Sequence, residues 1–227
     1  MKFILFDIDG TIMDSGGAGT RAMDTAFMEL FSVRNAFQTI SMAGKTDMQI
    51  LREGCELHSI DYSNGVIPEF YRIYAGYLKE NMKSSGGQVK PGIREALGEL
   101  QAQKEFILGL LTGNIEEGAR IKLDFFGLND YFDIGAFGND DEDRDRLLPI
   151  AVDKLFKRNS LHVNFRDCIV IGDTPKDVSC SKPHGAFSIA VATGPYSAST
   201  LSESGADVVL NDLSDTEAFM AILLKVS

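Results

Sequence analysis

Phe3-Ile4-Leu5-Phe6-Asp7-Ile8-Asp9-Gly10-Thr11 sets four consecutive apolar residues directly before two carboxylates and a glycine. An apolar run of this length, bounded by a glycine-containing turn, reads as a fully buried strand. Carboxylates at the carboxyl end of such a strand sit where open parallel sheets hold their ligands. Buried carboxylates without partners are costly, so this pair is expected to share a cation. The plain alternative is that Asp7 and Asp9 only cap a turn.

Two later segments repeat the design. Phe106 to Leu111 is an apolar run that ends in Thr112-Gly113-Asn114, and Cys168 to Ile171 ends in Gly172-Asp173-Thr174-Pro175-Lys176-Asp177. Asp7-x-Asp9-Gly10-Thr11, Thr112 and Gly172-Asp173-x-x-x-Asp177, each after a strand, resemble in order the first, second and fourth motifs of the haloacid dehalogenase-like hydrolases. The third motif of that family is normally a lysine at the start of a helix. Here the stretch Asp140 to Pro149 offers only arginines. Counting back from Pro149 favours Arg144, with Arg146 as the alternative.

Working away from these motifs, the chain has 227 residues, enough for one full core and a smaller second unit. Its 44% hydrophobic and 24% charged residues are those of a globular protein. A net charge of −11 argues against nucleic acid or an anionic membrane as a partner. It also means that a phosphorylated substrate needs local positive charge at the site. Cys55, Cys168 and Cys180 form no metal-ligand pattern. Only four apolar residues precede Asp7, too few for a signal peptide, so the expected location is cytoplasmic. No protein partner is evident.

Glycine-rich stretches at 15–19 and 84–87 bracket a helical pattern in which Ala22, Ala26 and Leu30, then Val66, Phe70 and Tyr74, recur at helical spacing. Residues 16–85 are therefore expected to form an all-helical cap, with 1–15 and 86–227 as an α/β core. After Pro91 helices are expected at 93–104, 115–126, 148–158, 176–184, 198–204 and 215–225. Strands are expected at 106–111, 133–137, 168–172, 187–192 and 207–210. Such alternation implies a doubly wound, Rossmann-like parallel sheet. Phe125 and Phe126 are expected in the core, Gly127 as a helix C-cap, and the acidic run 140–145 as a solvated loop. A helical insertion directly after the first motif is where relatives of the helical-cap type carry theirs.

The resemblance implies roles. Asp7 is the nucleophile that becomes an aspartyl phosphate, and Asp9 the acid and then base. Mg²⁺ is held by Asp7, the Asp9 carbonyl and Asp173. Thr112, Gly10 and the Gly113 and Asn114 amides bind the phosphoryl group, Arg144 supplies the cation, and Asp177 supports it from behind. For Asp177 the alternative is a first-turn residue on its helix. In the insertion, Lys45 and Thr46, with Asp47 beside them, form a polar loop expected to reach the substrate; the alternative is that Thr46 or Asp47 caps the next helix. The implied activity is a Mg²⁺-dependent phosphatase of a small phosphorylated metabolite, similar to phosphoglycolate phosphatases. A β-phosphoglucomutase-like mutase and a non-catalytic binding protein on the same fold are the alternatives.

Overall fold

The computed structural model describes residues 1–63 and 65–226. The chain opens with β1 (Lys2–Phe6) and β2 (Met13–Asp14), then three helices, α1 (Ala18–Phe31), α2 (Asp47–Leu57) and α3 (Val66–Met82). It continues through β3 (Gln88–Val89), α4 (Ile93–Gln101), β4 (Phe106–Leu111), α5 (Glu116–Phe125) and β5 (Gly135–Ala136). The last part holds α6 (Leu147–Asn159), β6 (Cys168–Gly172), α7 (Pro175–Ser181), β7 (Phe187–Val191), α8 (Ala198–Glu203), β8 (Val208–Leu210) and α9 (Thr216–Lys225).

Six of the strands form one parallel sheet in the order β5-β4-β1-β6-β7-β8. Successive residues of β1 feed opposite faces. Ile4 and Phe6 pack in one core with Leu97, Leu123 and Leu223, whereas Phe3 and Leu5 pack in a second with Leu148, Leu155 and Cys180. Helices cover both faces, so the central strands read as unbroken apolar runs and not as alternation. The chain winds outward from β1 in one direction through β4 and β5, then returns to its other side at β6. That reversal opens a crevice at the carboxyl end of β1. Phe6 is level with Leu110 on one side and Ile171 on the other, so three strands end together.

Helices α1 to α3 lie between β2 and β3. Their core is aromatic: Phe27 meets Phe37 with ring centres 5.2 Å apart and Phe70 at 6.3 Å, and Tyr74 stacks on Phe70. The two segments that join these helices to the sheet pair with each other as an antiparallel ladder, Met13 with Val89 and Asp14 with Gln88. No periodicity announces strands of two residues.

The strand expected at 133–137 is only Gly135–Ala136, an edge position short enough to leave little backbone unpaired. Helix α7 stops at Ser181, because Pro183 lies just beyond it, and a 3-10 turn runs through His184 to Gly185. Phe125 is exposed, since the buried face of α5 runs through Ala119, Lys122 and Leu123. Gly127 does take the left-handed conformation after α5, with its amide donating to Asp124. The acidic run is not simply solvated, because Glu142 is engaged by α2 as described below. Among the described residues no helix is long and apolar enough to cross a membrane, and the three cysteines are free and buried.

Candidate active site

Beyond Phe6 the chain curls tightly: the Ile8 carbonyl accepts from the amides of Thr11, Ile12 and Met13 at 2.9–3.2 Å. The curl aims Asp7 and Asp9 out of the sheet end. Asp7 is anchored by its own amide, which donates to Ile171 at 2.9 Å. Gly10 stands at φ 84, and a Cβ there would come within 2.3 Å of an Asp173 carboxylate oxygen. A Cβ at Gly194 would come still closer, 1.7 Å, to the same oxygen. Asp173 is thus cradled between two backbones that only glycine allows so near. Its Oδ1 accepts from the Thr11 hydroxyl at 3.0 Å.

One carboxylate oxygen each from Asp7, Asp173 and Asp177 can be found within 4.8 Å of the others, all three residues buried. Burial pushes the Asp7 carboxyl above its ordinary range, opposed by Arg144 and reinforced by Asp177 and Asp9. Burial also raises Asp173, with the charges of Asp7 and Asp177 acting in the same direction. Such mutual repulsion among hard oxygen donors is what a divalent cation such as Mg²⁺ relieves, so the residues present fit one. Asp177 has less to offer it. Its Oδ1 pairs with Arg144, and its Oδ2 accepts from the Thr174 amide at 2.9 Å and the Thr174 hydroxyl at 2.7 Å. It is both the first-turn residue of α7 and the support of the arginine.

Arg144 lies in a 3-10 turn just before α6 and is buried. Its Nη2 is 3.1 Å from Asp7 Oδ1 and also contacts Asp177. Burial works against its charge, but the two aspartates outweigh it and raise its pKa. Arg146, the alternative, is 71% exposed and among the described residues pairs only with Asp141 and Asp143.

Thr112 is fully buried behind the cavity wall and accepts from the Asn114 side chain at 2.9 Å. Gly113 and Asn114 line a cavity of about 480 Å³ together with Asp7, Asp9, Arg144 and Asp173. Its opposite wall comes from the helices and their loops: Met23, Lys45, Asp47, Ile50 and Tyr74. The loop before α2 is seated on the sheet end. The Asp47 amide donates to the Gly113 carbonyl at 2.7 Å and the Ile115 amide donates to the Asp47 carboxylate at 2.9 Å. A Cβ at Gly113 would stand 2.1 Å from the Lys45 carbonyl, so this seating depends on glycine.

Thr46 is corrected from a substrate contact to a structural one. Fully buried, its hydroxyl caps α2 by accepting from Gln49 at 3.1 Å and donates to the Glu142 carbonyl at 2.8 Å. Lys45 does line the cavity, with its ammonium 2.5 Å from Glu53. Arg52 of α2 pairs with Glu142 at 2.6 Å.

Lys122 was not singled out by any motif. It is buried on α5, with Nζ 2.6 Å from Asp9 Oδ2 and 2.6 Å from Asn114 Oδ1. The sequence carried one signal, a lysine set into the apolar stripe Ile115-Ala119-Leu123. Thr193 and Gly194, in the loop after β7, carried none.

The haloacid dehalogenase-like hydrolase family profile matches residues 4–191. Along nearly its whole length the chain is similar to a protein named "Probable phosphatase IndB" from Dickeya dadantii, 26% identical over 99% of this chain and 95% of the relative. It is also similar to the phosphoglycolate phosphatase of Vibrio vulnificus, 24% identical over 94% and 93%. Among solved structures, a hydrolase from Pseudomonas syringae superposes with a TM-score of 0.74 at 20% identity, covering 98% and 99% of the two chains. CbbY from Rhodobacter sphaeroides, in complex with phosphate, gives 0.72 at 17% identity, covering 95% and 96%.

Proposed function

Because the chain belongs to the haloacid dehalogenase-like hydrolases, we propose that this cavity hydrolyses a small phosphorylated metabolite through a phosphoenzyme on Asp7. The chain is a phosphate-monoester hydrolase in this reading, of the phosphoglycolate phosphatase-like kind, and its relatives' names support that class. The carrying observation is the placement of Asp7 between a buried guanidinium and a second buried carboxylate at the level ends of three strands.

Mg²⁺ would be held by Asp7, Asp173 and the Asp9 carbonyl, and when bound it supplies positive charge for the phosphoryl oxygens. The rest of the chemistry belongs to side chains. Asp7 attacks phosphorus while Asp9 protonates the departing alcohol; Asp9 then takes a proton from the water that hydrolyses the aspartyl phosphate. Arg144 offsets the charge of Asp7 and the incoming phosphate. The Gly113 amide, at the turn before α5, binds the phosphoryl oxygens, while the Asn114 amide donates to the Thr112 hydroxyl at 3.3 Å and holds that turn. Residues 16–85 act as a cap, their seated loop excluding water during phosphoryl transfer and lifting for release. Asp47 and Lys45 stand at the leaving-group side.

The test is turnover of p-nitrophenyl phosphate. Activity that needs Mg²⁺, and that disappears in Asp7→Asn without loss of thermal stability, supports the reading. Near-normal turnover by that variant removes Asp7 as the nucleophile.

A further inference from the structure

Lys122 answers to no motif, yet it is buried and lines the same cavity as Asp7 and Asp9. It sits in the second turn of α5, from which long side chains run back toward the helix start. That direction carries its ammonium out of the apolar stripe and up to the sheet end. There it closes a ring of contacts. Nζ bonds Asp9 Oδ2 and Asn114 Oδ1, and Asn114 Nδ2 bonds the same Asp9 oxygen at 2.8 Å and Thr112 Oγ1 at 2.9 Å. Two donors therefore converge on one oxygen of Asp9, and its Oδ1 takes part in neither bond.

The ammonium is also roofed from the cap side. A side chain at Gly19 of α1 would stand 3.5 Å from Nζ and 3.8 Å from the Tyr74 hydroxyl. Lys122 is consequently 5% exposed while its partner Asp9 remains 42% exposed. An ion pair with one partner buried and the other open to the cavity fixes the open partner's direction. A buried ammonium gains nothing by moving away from its acid.

We propose that Lys122 is a positioning residue that clamps one oxygen of Asp9 so that the other faces the leaving oxygen of the substrate. This rests on the hydrolase reading above. In the step it serves, the Asp7–phosphorus bond forms as the bond from phosphorus to the leaving oxygen breaks, and the Asp9 proton passes to that oxygen. In the return step water adds to phosphorus, the Asp7–phosphorus bond breaks, and Asp9 recovers a proton from the water. Lys122 exchanges no proton in either step.

The test compares two esters of similar size in the full chain with Mg²⁺: phenyl phosphate, whose poor leaving group needs a proton, and p-nitrophenyl phosphate, whose good one does not. Lys122→Met is expected to lower kcat/KM about thirtyfold on phenyl phosphate and less than about threefold on p-nitrophenyl phosphate. Lys122→Ala, assayed with added propylammonium, carries the same expectation in a second form: the amine restores phenyl phosphate turnover. Equal losses on the two esters, no loss on either, or an amine without effect would overturn the role of Lys122 alone. A wild-type protein that turns over neither ester would overturn the hydrolase reading itself.

Discussion

Arg144 shows how much one side chain carries here. Its guanidinium joins Asp7 to Asp177, both buried, so removing it leaves two carboxylates without their cation. Breaking a buried pair in this way costs about 3–5 kcal/mol. Arg144→Ala is therefore expected to lose both stability and at least about a hundredfold in kcat, read by thermal melting and steady-state kinetics. Arg146→Ala, an exposed site, should change neither by a measurable amount. Equal effects at the two positions would contradict the assignment. Asp47 gives a residue-scale pH prediction. Burial, partly offset by Lys122, raises its carboxyl from 3.8 to about 6. In that window the folded state binds the proton more tightly than the unfolded state, so Asp47's contribution is full below pH 4 and lost as pH rises through 6. Across that window the contribution of Asp47 changes by at most about 3 kcal/mol. Asp47→Asn, which keeps an oxygen for the Ile115 amide, should reduce the pH dependence in denaturant melts between pH 4 and 7, leaving the part due to Asp7 and Asp173; an unchanged slope would rule out a contribution from Asp47.

Among the elements, those that end at the site were legible because each is a short apolar run cut off by a polar residue. Strands β1, β4 and β6 announce themselves this way, and so do Asp7, Thr112 and Asp173 at their ends. What could not be read is contact between elements. The β2–β3 ladder is two residues long on each side, below any periodic signal. Thr46 looked like a loop residue facing substrate, yet the acceptor for its hydroxyl, the Glu142 carbonyl, lies 96 residues away. Lys122 required knowing that α5 turns its apolar stripe toward Asp9. The docking of α2 on Glu142 makes an element-scale prediction. Arg52 is 39% exposed, so its pair with Glu142 adds little to stability, at most about 1 kcal/mol. Arg52→Ala should accordingly leave the melting temperature nearly unchanged while raising KM a few-fold, because in the proposed role of residues 16–85 as a cap, closure is then less favoured. By contrast Phe70→Ala, in the centre of the aromatic cluster, should destabilise by about 3–5 kcal/mol in urea melts.

For the molecule as a whole, an acidic chain of net charge −11 gathers three buried aspartates at one end of its sheet. Burial and neighbouring carboxylates raise two of them, Asp7 beside Asp177 and Asp9, and Asp173 beside Asp7 and Asp177. Mg²⁺ at about a hundred times its dissociation constant should stabilise the fold by about 3 kcal/mol, seen as a rise in melting temperature that EDTA reverses. Asp173→Asn should abolish that rise. A rise that survives the substitution would place the ion elsewhere. The acyl phosphate on Asp7 can itself be trapped. The enzyme is quenched in acid during turnover, reduced with borohydride and analysed by peptide mass spectrometry. Reduction of the Asp7 carboxyl to an alcohol, dependent on substrate, is the result predicted here. An intact Asp7 in enzyme quenched at full turnover, whether or not another carboxylate is reduced, would contradict it.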